Sequence, residues 1–352
     1  MRKESFAFLK RMVETPSPSG FEHPVQRIWR EEAGKYAESV RTDLHGNCIA
    51  ALNEEGAPRV MFAGHCDELG FIVNYIGDDG FIYFRTIGGF DVGIVPGRRV
   101  QILTEKGPVF GVLGKKAVHL MKEEERKKAP EVEDLWIDIG AKDKKEAESL
   151  VSVGDPATYT YGLENLRGDL VVARGFDDKM GSFVVGEVLR ALVRHKPRAA
   201  VFSVSTVQEE VGIRGAKTSA FGVNPQVGIA VDVTHATDHP KVEKAVAGET
   251  KLGKGPVICR GANINPVVFR ILLDVAKRKK IPYQLEAAPG GTGTDANAIQ
   301  LTRAGVATGL VSVPLRYMHT PVEVLSLKDL DNTVKLLAGF VMAVDETTDF
   351  TP

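Results

Sequence analysis

Two consecutive glutamates, Glu209 and Glu210, stand shortly after an apolar, β-branched run over residues 199–207. The run predicts a buried strand, and the pair would lie at its tip. Two carboxylates aimed into one space raise each other's pKa unless a cation lies between them. One could then hold a metal while the other acts as a base. The alternative is a solvated turn, since glutamate side chains are mostly exposed.

Four more polar groups follow predicted strands or open a predicted helix. They are His65 with Asp67, Asp177 with Asp178, Asp232, and His319. In an open α/β sheet, ligands bind outside the carboxyl ends of the strands, which is where most of these groups would lie. Histidines and carboxylates without a thiolate suit Zn²⁺, Co²⁺ or Mn²⁺. The set is too large for one zinc, whereas two ions about 3.5–4 Å apart, with one bridging carboxylate and a water between them, would use five side chains. A sixth side chain then remains for proton transfer.

Each of these residues also has an ordinary structural interpretation. Asp67 could hold the second nitrogen of His65, or it could cap a turn. Asp177 could be the N-cap of the helix behind it, Asp232 could cap Thr234, and His319 could be a surface histidine. The shared position at strand tips favours a common site.

Other reaction classes find little support in the sequence. It contains no G-x-S-x-G elbow and no H-E-x-x-H helix. The glycines at 290–293 lack the spacing and the lysine of a phosphate loop, so nucleotide binding is disfavoured.

Composition limits the partners that we expect. The 352 residues carry a net charge of −1, which gives no global field to attract nucleic acid or an anionic membrane. No stretch approaches 18 apolar residues. Three scattered cysteines, Cys48, Cys66 and Cys259, fit a reducing compartment. We therefore expect a cytoplasmic protein with a small partner.

Alternation of strands and helices on both sides of a β-rich stretch predicts an α/β fold with a mixed, largely parallel sheet between helices. From about Leu69, aromatic-rich alternation around two glycine turns predicts hairpins of an antiparallel, barrel-like β domain. We expect catalytic segments at 1–68 and 166–352, with the β domain inserted at 69–165. Within this pattern we expect a solvated loop at 121–130 and a strand that ends at Asp232.

Six motifs together carry a resemblance to a known family: GHCDELGF, RGFDDKMG, STVQEEVGIRGA, AVDVTHATD, GGTGTDANAIQ and VPLRYMHTPVEV. In this order they resemble the co-catalytic dinuclear metallo-aminopeptidases of the glutamyl or tetrahedral aminopeptidase type. Members are often labelled endoglucanase M or cellulase M. The resemblance covers essentially the whole chain and implies a zinc-exopeptidase-like fold.

The resemblance also implies roles for seven side chains. His65 and Asp232 would hold one metal, Glu210 and His319 the other, with Asp177 as the bridge, Glu209 as the general base and Asp67 orienting His65. Asp177 is preferred to Asp178 as the bridge because related peptidases place the bridging aspartate two residues before a basic residue, here Lys179.

The implied reaction is removal of the first residue from peptides with a free N-terminus, through a water bridging two divalent metals. Zinc is favoured, with cobalt and manganese as alternatives. A metal-dependent carboxypeptidase or deacylase would use a similar site, and a non-catalytic scaffold is the third hypothesis. Relatives often form tetrahedral dodecamers from dimers through the inserted domain, so we expect a homo-oligomer. His119 matches a family His-Leu element, and it either reaches the active site or supports the domain junction.

Overall fold

The computed structural model describes residues 1–352. The first segment contains two helices and three strands: α1 (Lys3–Glu14), α2 (His23–Ala33), β1 (Ser39–Thr42), β2 (Cys48–Leu52) and β3 (Arg59–His65). Helix α1 buries Phe8, Leu9 and Met12 on one face. It ends at Glu14 because Pro16 disfavours helical backbone at the preceding residue.

A six-stranded antiparallel barrel follows. Its elements are β4 (Gly70–Ile76), β5 (Ile82–Ile87), β6 (Arg99–Thr104), β7 (Gly107–Lys115), α3 (Glu123–Arg126), β8 (Leu135–Asp138), α4 (Lys144–Leu150) and β9 (Pro156–Tyr159). The barrel closes in the order β4-β5-β8-β7-β6-β9. Both predicted hairpins are present, β4 with β5 and β6 with β7. The barrel has its own core, in which Phe71 packs against Phe84, Phe90 and Tyr159.

The expectation of a loop at 121–130 is wrong at one point. Helix α3 forms a single turn there because the Glu125 side chain accepts a hydrogen bond from the backbone N–H of Lys122. Its four residues are exposed, so the charges are solvated as expected.

The second segment returns to alternating strands and helices. It contains β10 (Glu164–Asn165), β11 (Leu170–Ala173), α5 (Phe176–Leu192), β12 (Ala200–Thr206), α6 (Arg214–Val223), β13 (Val227–His235), α7 (Lys244–Ala247), β14 (Val257–Gly261), α8 (Pro266–Arg278), β15 (Gln284–Ala288), α9 (Asp295–Ile299), β16 (Ala307–Leu315), β17 (Glu323–Ser326) and α10 (Leu327–Val341). None of the helices has the length and apolar character needed to cross a bilayer.

Both segments contribute to one eight-stranded sheet, in the order β1-β2-β12-β3-β13-β16-β14-β15. The four central strands are parallel, and antiparallel pairs flank them. Helices α1, α2, α5, α8 and α10 cover one face in the largest core, while α6 and α9 pack on the other. This architecture, with its inserted barrel, confirms the predicted fold class.

Strand β13 continues past Asp232 to His235, so the prediction that it ends at Asp232 is wrong. The extension is stabilised by its parallel pairing with β16, which runs from Val227 to His235. Pairing with β3 on the other side stops earlier, at Ala230 opposite Ala63. The ladder between β3 and β13 therefore ends two residues before His65 and Asp232, and a crevice opens between the strands.

Gly64 sets how closely β3 approaches helix α5. A Cβ at this position would lie 2.4 Å from the carbonyl carbon of Gly181 and 2.7 Å from the backbone nitrogen of Ser182. We expect Gly64→Ala to destabilise the protein by about 1–3 kcal/mol or more, because backbone would have to move. Urea unfolding followed by circular dichroism measures the change.

Gly222, on the exposed surface of α6, is the matched control. A Cβ there meets no atom within 4 Å, so Gly222→Ala should leave the unfolding midpoint unchanged or raise it slightly. Equal midpoints for the two variants would contradict the packing argument.

Candidate metal centre

Asp177 lies between the two histidines predicted to bind metal. Its Oδ1 is 3.3 Å from Nε2 of His65, and its Oδ2 is 3.2 Å from Nε2 of His319. His65 comes from the end of β3, Asp177 from the first turn of α5, and His319 from the loop between β16 and β17. Each oxygen of one carboxylate thus faces a different histidine.

The two glutamates at the tip of β12 reach the same cluster from another side. Oε2 of Glu210 is 3.7 Å from Nε2 of His319, and Oε2 of Glu209 is 3.9 Å from Nε2 of His65. The other oxygen of Glu210 is buried without a hydrogen-bond partner. Donor atoms of His65, Asp177 and Glu210 all lie within 4.8 Å of one another, a spacing that one metal ion could span.

A second group of donors contains His65, Asp178 and Asp232, again within 4.8 Å of one another. Asp178 already has two hydrogen bonds, because its carboxylate accepts from the backbone N–H of His65 (3.0 Å) and of Gly181 (3.1 Å). It ties the end of β3 to the start of α5. The Asp177–Asp178 peptide bond is cis.

Asp67 combines the two roles considered for it from the sequence. Its Oδ1 is 3.3 Å from Nδ1 of His65, which is also 3.1 Å from the Asp67 carbonyl oxygen. Its carboxylate accepts backbone N–H hydrogen bonds from Glu209 and Glu210, each at 3.1 Å, and a hydrogen bond from Ser19 at 2.6 Å. One fully buried aspartate therefore contacts the histidine and fixes the backbone of the glutamate pair.

Two acids that the sequence analysis did not single out also belong to the site. Glu323 is buried and accepts backbone N–H hydrogen bonds from Asp177 (3.1 Å) and His319 (2.9 Å). Asp295 accepts a hydrogen bond from the Thr206 hydroxyl at 2.6 Å. Both lie inside motifs quoted above, VPLRYMHTPVEV and GGTGTDANAIQ, which is the signal that could have identified them.

Glu68 engages the two cations closest in sequence to Asp177. It forms buried ion pairs with Arg174 and, at 2.8 Å, with Lys179. It also accepts the backbone N–H of Ser17, which holds the loop after α1. These two positive charges are therefore not free to neutralise the predicted metal-binding carboxylates.

Burial and mutual repulsion shift the proton affinities of the cluster. Burial, with nearby aspartates adding to it, raises the pKa of Glu209 to about 9 and of Asp232 to about 8. Asp177 differs, because hydrogen bonds from His319 and His65 outweigh its burial and lower its pKa. Burial opposes protonation of His65, yet the charge of Asp67 holds its pKa well above the usual value.

The donor set fits divalent cations. The carboxylates of Asp177, Glu209, Glu210 and Asp232 line one cavity with three histidines, His65, His235 and His319, and with no lysine or arginine. Uncompensated buried charge is costly unless it is paired or coordinates a metal. The unpartnered oxygen of Glu210 is the kind of atom that a metal would satisfy.

A cavity of ≈ 340 Å³ opens from this cluster. Among the residues that line it beyond the predicted ligands are Thr234, Cys259, Glu286, Thr292, Leu310 and Met318. A smaller space of ≈ 20 Å³ lies between the barrel residues Phe90 and Tyr159 and the loop of His319. His119 lines neither space, and its side chain is exposed on the barrel.

Comparison with known proteins places this geometry in a family. The M42 glutamyl aminopeptidase model matches residues 46–336. A lysyl aminopeptidase of Pyrococcus furiosus is 36% identical over 347 residues, covering 98% of each chain. The crystal structure of a TET aminopeptidase from the archaeon Thaumarchaeota archaeon SCGC AB-539-E09 is 36% identical, superposes with a TM-score of 0.93 and covers 97% of each chain.

A second solved structure, the TET1 peptidase of Pyrococcus horikoshii, is 35% identical with a TM-score of 0.85, covering 95% of this chain and 98% of that one. It is described as able to assemble into a tetrahedron or a large octahedral shell. The family model matches most of the chain, and the relatives align over nearly all of it. The chain therefore belongs to the M42 glutamyl aminopeptidase family and is a metallo-aminopeptidase, a hydrolase.

Proposed function

We propose that this enzyme removes the first residue of peptides at a centre of two divalent ions, with Glu209 as the general base. His65 and Asp232 would hold one ion, and Glu210 and His319 the other. Asp177 would bridge them. The observation that carries the proposal is the position of Asp177, with one oxygen 3.3 Å from His65 and the other 3.2 Å from His319.

Divalent ions at such a site lower the pKa of a water molecule and polarise a carbonyl oxygen. The nitrogen and oxygen donors, without a thiolate, favour zinc, with cobalt and manganese as alternatives. Asp178 is a weaker candidate for a ligand than Asp177, because both of its oxygens already accept backbone hydrogen bonds.

Glu209 is the carboxylate assigned to proton transfer. Its backbone N–H donates to Asp67, so its position is fixed while its side chain faces His65. In the proposed reaction it takes a proton from the attacking water and passes it to the leaving amine, which balances the hydrolysis. Asp67 would orient His65 through Nδ1 and keep Nε2 directed at the site.

The substrate class follows from the family and from the charge of the site. A free α-amino group is a cation at neutral pH, and Glu209, a carboxylate that would not be a metal ligand, lines the same cavity and would attract it. The family description names glutamyl activity and the Pyrococcus furiosus relative is a lysyl aminopeptidase, so family membership leaves the preferred first residue open.

We further propose a homo-oligomer, with a tetrahedral dodecamer built from dimers as the specific form. Support comes from the TET1 relative and from apolar side chains exposed on the barrel, such as Phe110 at 66% and Val112 at 48%.

We also propose that the chain divides into a catalytic domain (1–68 and 166–352) and an inserted domain (69–165). The cytoplasmic location also stays a prediction.

Glu209→Gln should separate proton transfer from metal binding. We expect kcat to fall by roughly 10²–10⁴-fold, the usual size of a general-base contribution, while both ions stay bound. Turnover of leucine p-nitroanilide and metal analysis by mass spectrometry measure the two effects. A variant with both metals and near wild-type kcat would show that another group is the base.

Asp177→Asn should instead reduce the metal content. A neutral amide is a weaker ligand, so we expect fewer than two ions per chain after dialysis and a loss of turnover beyond roughly 10²-fold. Asp274→Asn, at an exposed position of α8 without an ion pair, is the matched control and should keep both metals. Two tightly held ions in Asp177→Asn would reject the bridging role.

Substrate blocking tests the reaction class. Aminoacyl p-nitroanilides with a free amine should be hydrolysed, the N-acetylated forms should not, and a chelator should abolish activity until Zn²⁺ or Co²⁺ is returned. Cleavage of N-acylated amino acids or of C-terminal residues would favour the deacylase or carboxypeptidase alternative. Chelator-resistant hydrolysis of cellulose would point to a glycosidase, which needs paired carboxylates and no metal.

A further inference from the structure

Glu286 is a carboxylate in the wall of the ≈ 340 Å³ cavity that the metal centre does not use. It lies on the edge strand β15, half-buried, opposite Cys259 of β14. The only hydrogen bond of its side chain is with Thr234, whose hydroxyl donates to Oε2 at 2.8 Å. It forms no ion pair, so its charge has no partner within the protein.

The bond to Thr234 fixes how far this charge lies from the site of reaction. Thr234 is two residues beyond Asp232 on β13, and both residues line the cavity. Two strand residues span about 6.6 Å on one face of a sheet. Glu286 therefore lies about one long side chain away from the place where a peptide's first residue would be held.

The rest of this wall carries little charge. Thr234, Cys259, Thr292, Leu310 and Met318 are neutral, and the neighbouring His235 is exposed. No lysine or arginine lines the cavity.

Arg260 is next to Cys259 in sequence, but its guanidinium lies over the ring of Phe269, 5.5 Å from the centroid. Divalent ions would neutralise the ligand carboxylates, whereas Glu286 is not among those ligands and would keep its charge.

We propose that Glu286 determines specificity by selecting peptides whose first residue is basic, lysine or arginine. The inference rests on the proposed aminopeptidase function and names the substrate class of that site. The first side chain enters the cavity and its cation pairs with the free Oε1 of Glu286. A charge-assisted hydrogen bond of this kind, partly shielded from water, is among the stronger polar contacts.

The test compares kcat/KM for lysyl, arginyl, leucyl and glutamyl p-nitroanilides, with metal content measured for each protein. The wild-type enzyme should prefer the lysyl and arginyl substrates. Glu286→Gln keeps an acceptor for Thr234 and removes the charge, so the lysyl-to-leucyl ratio should fall by roughly 10–100-fold. Glu286→Lys should favour the glutamyl substrate over the lysyl one.

Glu346→Gln is the matched control, because Glu346 is exposed after the last helix and has no ion pair. Its ratios should equal those of the wild type. A wild-type preference for leucyl or glutamyl substrates, or an unchanged ratio in Glu286→Gln, would overturn the role of Glu286 while leaving the aminopeptidase function intact. Failure of the metal-loaded enzyme on every free-amine anilide would reject both proposals.

Discussion

The separation of β3 from β13 is the constraint on which the site depends. Their ladder ends at Ala63 opposite Ala230, while β12 stays paired with β3 as far as His65 and β16 stays paired with β13 as far as His235. Each strand keeps a partner on its outer side, so the split leaves most backbone groups satisfied. The order of strands also reverses at β3, where α/β sheets place their ligands. His65 and Asp232 then face a crevice instead of each other across a ladder.

The acids around this crevice differ in what their oxygens accept. Asp67, Asp178 and Glu323 each accept two backbone N–H hydrogen bonds, and Glu68 accepts one beside its ion pairs. These acids hold the backbone that carries the site. Among the predicted ligands, Asp177 faces two histidines and Glu210 has an oxygen with no partner, whereas Asp232 accepts the backbone N–H of Val233. Buried polar groups are normally satisfied, so the unpartnered oxygen of Glu210 supports the proposal that a cation binds there.

The sequence predicts those features of the arrangement that depend on local pattern. Strand β12 and the glutamates after it, the barrel hairpins and the helix behind Asp177 all follow from periodicity and turn residues. The end of β13 does not, because the length of a strand depends on which neighbour continues the ladder. The backbone contacts of Glu323 and the cavity position of Glu286 escape sequence reasoning for a similar reason. They arise where loops and edge strands far from one another in sequence converge, and no local period encodes that convergence.

The residues proposed to bind metal and the residue proposed to select the substrate, Glu286, belong to different strands of the same sheet. The metal-binding candidates come from the ends of β3 and β13, each still paired with its outer neighbour, from the segment after β12 and from loops beside them. Glu286 lies on β15, which has a neighbour on one side only, and its carboxylate contacts the central strands through Thr234 alone. A substitution on this edge can alter the charge of the cavity without disturbing the ladders that position the centre. This chain matches both a family named for glutamyl aminopeptidase and a lysyl aminopeptidase. A selectivity residue on the edge strand would allow such a difference in substrate without a change of the metal centre.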